Sequence, residues 1–93
     1  MPYLLRYSET SGKQIRTLPP QPKPLIRKHL EELKESPFLG KPLERELSGF
    51  YSLRINKFRV LYDIDHEKKL IRIHYVGYRK NIYELFRKLL SSA

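Results

Sequence analysis

The chain has no cysteine and no tryptophan, and only one methionine and four glycines in 93 residues. Without cysteine there is no disulfide framework, no thiolate nucleophile and no cysteine-type zinc site. A reducing compartment is compatible with that. No apolar run approaches the ~18 residues a membrane span requires, and the N-terminal stretch MPYLLRYSETSG lacks the long apolar core of a signal peptide. A cytoplasmic protein with no membrane role and no cofactor is expected. Acidic side chains are scarce too: ten against nineteen lysines and arginines, a formal charge of +9. The surplus is uneven, since residues 47–93 hold ten basic and four acidic side chains and residues 1–46 hold nine and six. That balance suits a nucleic-acid binder, or a protein kept with an acidic partner. The length allows one core, so residues 1–93 are read as a single domain.

The most informative stretch is LSGFYSLRINKFRVLYDID, residues 47–65. Tyr51, Leu53 and Ile55 alternate with Ser52 and Arg54; after Asn56-Lys57, Phe58, Val60, Tyr62 and Ile64 alternate with Arg59, Leu61 and Asp63. Two strands joined by a two-residue turn follow, with the seven apolar positions on one face and Arg54 directly opposite Arg59 on the other. Like charges paired across a sheet cost roughly 0.2–1 kcal/mol. Either a polyanion uses that arrangement, or the guanidiniums fan into solvent or find carboxylates.

Before the hairpin, Tyr3–Tyr7 reads as a short strand, and Ser11, Ile15 and Leu18 mark a weak helix that Pro19-Pro20 stops. A stronger helix over Lys23–Glu35 carries the stripe Leu25, Ile26, Leu30 and Leu33. Residues 36–48 read as loop. A third hairpin-half strand, Leu70–Gly77, turns Ile71, Ile73 and Tyr75 to the core and sets Arg72 opposite Asp63 and His74 opposite Leu61. The last helix starts near Asn81, capped by Asn81 with Glu84, and is expected to bury Ile82, Leu85, Phe86, Leu89 and Leu90. The predicted fold is α+β, in the order β-α-α-β-β-β-α, with a mostly antiparallel sheet and helices on one face.

On or beside the face away from those helices the register gathers Ser52, Arg54, Arg59, Leu61, Asp63, Arg72 and His74, with Lys57 at the turn. Tyr78, Arg79, Lys80 and Tyr83 follow closely. Arginine forks match phosphate oxygens, and aromatic rings stack on splayed bases, so this surface is a candidate clamp for RNA. No metal-ligating cluster is expected. For His74 the structural reading outweighs the functional one, because a lone sheet histidine is more often structural.

The strings LSGFYSLRINKFRVLYDID and VGYRKNIYELF, with the element order, resemble the RelE/ParE toxin superfamily of type II toxin–antitoxin pairs. The resemblance spans nearly the whole chain. It implies a ribosome-associated, metal-independent mRNA endonuclease that leaves 2′,3′-cyclic phosphate and 5′-OH ends, or else a gyrase-inhibiting or inactive member acting by protein binding. A third reading is a small RNA-binding module unconnected with toxins. In the nuclease branch Arg59 matches the strand arginine at the scissile phosphate, Arg79 the arginine of the closing motif, and Tyr83 the terminal tyrosine. Arg54, Lys57, Tyr78 and Lys80 are the implied RNA contacts. Ser52 stands where one branch has lysine, and Tyr78 where many members have histidine. Another branch uses a glutamate base, which the resemblance matches loosely to Glu44 or Glu46, and His74 is reachable by geometry; these are the acid/base candidates. The implied partners are a cognate antitoxin, mRNA and the ribosome.

Overall fold

Ser8 starts the first helix because its Oγ accepts the Ser11 N–H at 3.0 Å, filling a donor that the helix itself leaves open. The structure, a computed structural model, describes residues 2–78 and 82–91. Its elements are β1 (Leu4–Tyr7), α1 (Glu9–Arg16), α2 (Lys23–Glu35), β2 (Lys41–Pro42), β3 (Phe50–Ile55), β4 (Phe58–Asp65), β5 (Leu70–Tyr78) and α3 (Ile82–Ser91). The five strands form one sheet in the order β1-β5-β4-β3-β2. Only β1 runs parallel to its neighbour; the other pairings are antiparallel. The expected loop over residues 36–48 contains the short edge strand β2 and two 3-10 turns, Pro37–Leu39 and Arg45–Leu47.

The hairpin pairs as its alternation requires, with Arg54 opposite Arg59 and Ile55 opposite Phe58. Leu53, Ile55, Phe58, Val60 and Tyr62 enter the main core against Ile15 of α1 and Ile26, Leu30 and Leu33 of α2, with Tyr51 and Ile64 packed at its margin. Tyr62 ties this core to the loop: its hydroxyl donates to the Pro37 carbonyl and accepts the Gly40 N–H, both at 2.8 Å. Gly40 is glycine for want of space, since a Cβ there would lie 2.5 Å from the Tyr62 oxygen. Burial pushes the phenol up to about 12, partly offset by the Gly40 hydrogen bond.

Two expectations are corrected by the β4–β5 register. Arg72 does lie opposite Asp63, but a bulge pairs Leu61 with Tyr75 and Tyr62 with Ile73, so His74 is the extra residue and has no partner position at Leu61. Tyr75 therefore leaves the main core and joins Leu61 on the other face. Near the bulge, α1 supplies hydrogen bonds past the end of β1: Ser8 Oγ donates to the His74 carbonyl, and Gln14 Oε1 accepts the Val76 N–H.

That second face is consequently apolar enough to need a cover. Leu61 and Leu47 are buried there with Ile82 and Phe86 of α3, and Phe50, Tyr75 and Tyr83 pack around them. So α1 and α2 share one face as expected, while α3 lies on the opposite one, over part of the arginine surface. Within α3, Ile82 and Phe86 are buried, whereas Leu85 and Leu90 are exposed, contrary to the expected stripe. A helix resting on the narrow Leu61 patch needs only two deep contacts. The Asn81 cap and the Leu89 side chain lie outside the described residues.

Candidate functional site

At the middle of β3, Ser52 is only 3% exposed, an unusual place for a hydroxyl unless it is hydrogen-bonded. Its Oγ accepts from Arg59 Nη1 at 3.1 Å and from the Tyr83 hydroxyl at 3.2 Å. The Arg59 guanidinium carbon lies 5.7 Å from the centroid of the Tyr83 ring, within reach of a cation–π attraction. Two sequence-expected residues, Arg59 from β4 and Tyr83 from the first turn of α3, are thus brought together by a third that the sequence placed on the same face but gave no site role. Arg59 Nε is buried in this arrangement and, among the described residues, has no hydrogen-bond partner. Opposite Arg59 in the sheet is Gly77, where a Cβ would stand 2.8 Å from the Tyr75 ring. A side chain at position 77 would therefore collide with Tyr75.

A second cluster lies further along the same face. Arg72 donates from Nε and Nη2 to the two oxygens of Asp63 at 2.9 and 2.7 Å, and His74 Nε2 donates to Asp63 Oδ1 at 2.9 Å. Burial alone would raise the Asp63 carboxyl, but the hydrogen bonds and charges of Arg72 and His74 outweigh it and hold the group below its ordinary value. The same carboxylate raises Arg72. Phe50 meets the His74 ring edge-on, with centroids 5.2 Å apart. His74 is therefore engaged by a carboxylate and an aromatic wall.

The remaining expected residues are dispersed. Arg54 and Lys57 are exposed, and both line a groove of about 1060 Å3 at the hairpin tip, walled by Pro19, Pro22, Leu25 and Ile26. Tyr78 also lines it, because its register opposite Phe58 turns it to the α1/α2 face, where it stacks on Phe58 with centroids 4.6 Å apart. It does not adjoin Arg59 on the arginine face as the sequence suggested. Glu46 forms an ion pair with Arg87 of α3 at 3.1 Å, joining the second 3-10 turn to the last helix. Glu44 is exposed just before that turn. Arg79 and Lys80 lie outside the described residues. Among the described residues no helix is long and apolar enough to cross a membrane, and no three His, Asp or Glu side chains converge as a metal site.

Of the two arginines held on this surface, Arg59 is bound by a neutral hydroxyl and an aromatic ring and Arg72 by a carboxylate, so Arg59 is the one whose charge an anion can still use. Comparison with known proteins gives that surface its context. The family model described as the ParE toxin of the type II toxin–antitoxin system parDE matches residues 10–83. Toxin RelG of Mycobacterium tuberculosis is 36% identical over 85 residues, covering 89% of this chain and 98% of that protein. The fold is similar to a chain in the toxin–antitoxin complex RelBE2 from M. tuberculosis, with TM-score 0.78 and 34% identity over 85% of this chain and 100% of that one. It is similar also to the isolated RelE toxin of E. coli, with TM-score 0.72 and 25% identity over 95% of this chain and 98% of that one. The chain belongs to the ParE toxin family and is a toxin of a type II toxin–antitoxin system, close to the RelE and RelG toxins.

Proposed function

We propose that this toxin is a metal-independent endoribonuclease that cleaves mRNA on the ribosome. The observation that carries the reading is the Arg59–Ser52–Tyr83 cluster: a guanidinium and a phenol, from different elements, held at one point on a strongly basic chain. In the proposed reaction the RNA 2′-OH attacks the adjacent phosphorus. The O2′–P bond forms, the P–O5′ bond breaks, the 2′ proton leaves and a proton reaches O5′, giving a 2′,3′-cyclic phosphate and a 5′-OH. Arg59 would stabilise the charge that builds on the non-bridging oxygens, with Arg79 assigned to the same transition state by the family resemblance. Tyr83 would stack on or orient the nucleotide. Arg54, Lys57, Tyr78 and Lys80 are proposed as contacts to flanking RNA.

Among Glu44, Glu46 and His74, two already have partners: Glu46 is paired with Arg87, and His74 with Asp63. Glu44 is the acid/base candidate for which the described contacts assign no other work. We further assign a cognate antitoxin as partner, because relatives of this fold occur in toxin–antitoxin complexes. The cytoplasm, where mRNA is translated, is the compartment this reading requires.

A second reading has its own support. Ser52 cannot act as the lysine base of one branch, and Tyr78 lies on the other face, so a gyrase-inhibiting or catalytically inactive member acting by protein binding remains the alternative. Inducing the chain in a bacterial host and mapping mRNA 5′ ends separates the two. In-frame cuts in translated messages that vanish in Arg59→Ala support the nuclease. Growth arrest without cuts supports the alternative.

A further inference from the structure

We propose that Ser52 is the positioning residue of the phosphate contact, fixing Arg59 and Tyr83 to one neutral acceptor so that the arginine keeps its charge for RNA. The inference rests on the ribonuclease reading and adds a residue to it. Two arginines on one face of the sheet show the difference. Arg72 is clamped by both oxygens of the Asp63 carboxylate, and a phosphate would have to compete with that anion. Arg59 is bound instead by a hydroxyl, which carries no charge to cancel the guanidinium.

Depth and size explain why serine does this. The Ser52 Oγ lies at the sheet surface beneath α3, in a residue only 3% exposed, and its two lone pairs suit two donors arriving from β4 and α3. A lysine at this position would offer donors only, and its charge would oppose Arg59. An alanine would leave the Arg59 Nη1 and Tyr83 hydroxyl without their shared acceptor. Arg59 Nε already lacks a partner, so the loss of the Ser52 contact leaves the tyrosine ring as the main remaining hold described on the guanidinium. Held geometry matters because an electrostatic contact aids a reaction most when no reorganisation is needed as charge develops.

The test is single-turnover cleavage of a defined mRNA on saturating purified ribosomes, with melting curves and ribosome affinity measured for each variant. Ser52→Ala is expected to lower the cleavage constant about tenfold, the rate equivalent of one hydrogen bond, with ribosome affinity unchanged. Ser52→Thr, which keeps the hydroxyl, should recover to within about threefold of the parent. Ser52→Asp offers a stronger acceptor but a competing anion, and should cleave more slowly than Ser52→Ala. A role confined to structural support predicts the reverse order for Asp and Ala. If the Asp variant does not fold, the Ala and Thr pair decides. Cleavage by Ser52→Ala at the parent rate overturns the inference while leaving the nuclease intact. Absence of cleavage by the parent chain under the same conditions overturns the nuclease reading, and this inference with it.

Discussion

The guanidinium of Arg59 rests against the ring of Tyr83, 5.7 Å from its centroid, and both side chains end on the same serine oxygen. The last helix is therefore part of the site and contributes to covering it. Phe86 anchors that helix, with its ring edge-on to Phe50 at 5.0 Å and Leu61 in the same buried cluster. Displacing α3 would free Arg59, including its unpartnered Nε.

Arg59→Ala should reduce cleavage and toxicity by roughly a hundredfold, the scale seen when one transition-state donor is removed. Stability should fall by only about 1–2 kcal/mol, since the loss of one charge-assisted hydrogen bond and one cation–π contact is partly offset by removal of a buried unpaired Nε. Arg59→Lys should not restore activity, because the ammonium lacks the planar fork. Growth assays paired with thermal melting check both halves, and full toxicity in a well-expressed Arg59→Ala would move the site elsewhere.

Tyr83→Phe and Tyr83→Ala should separate stacking from hydrogen bonding. The phenylalanine variant keeps the ring over Arg59 and loses only the contact to Ser52, so its cleavage should fall by about tenfold or less. The alanine variant removes the ring as well and should fall further. Equal activities in the two would assign no role to the ring.

Tyr62→Phe should destabilise the fold by about 1–3 kcal/mol without touching the arginine face, because the Gly40 N–H and the Pro37 carbonyl lose a shared buried partner. Urea denaturation would show a lower midpoint with an unchanged slope. Gly40→Ala should also destabilise, since its Cβ would meet the same phenol.

The Asp63 cluster makes stability sensitive to acid. Its carboxyl is lowered from an ordinary value of 3.8 by Arg72 and His74, so near that pH the unfolded chain binds more protons than the folded one. The resulting stabilisation is complete above the unfolded value and disappears as pH falls through the folded one. Asp63→Asn should lower stability at neutral pH and flatten this decline below 3.8. Parallel pH-stability curves for the parent and Asp63→Asn would refute the assignment.

Local patterning made the hairpin readable: strict alternation on both sides of Asn56-Lys57 leaves one register that buries the apolar residues, and the Arg54–Arg59 and Asp63–Arg72 pairings follow from it. Basic surplus, the α2 stripe and the element order were legible for the same reason, being properties of neighbouring residues. The sequence also named Arg59 and Tyr83, through a motif. It could not show that Ser52 joins them, because their contact spans 31 residues of chain and depends on where α3 lands.

Tertiary structure made that decision through the bulge at His74. Alternation continued without interruption would send Tyr75 into the main core; one extra residue sends it beside Leu61, and periodicity alone carries no record of a single skipped pairing. The apolar patch so created draws α3 onto the arginine face, sets Tyr83 over Arg59, and leaves Tyr78 on the opposite side. Sequence by itself determined the four longer strands, their charges and the family to which they belong. Which charged groups meet, and which are already matched by a carboxylate, was decided only when the two faces of the sheet were filled, since burial and hydrogen bonding are set by residues far apart in the chain.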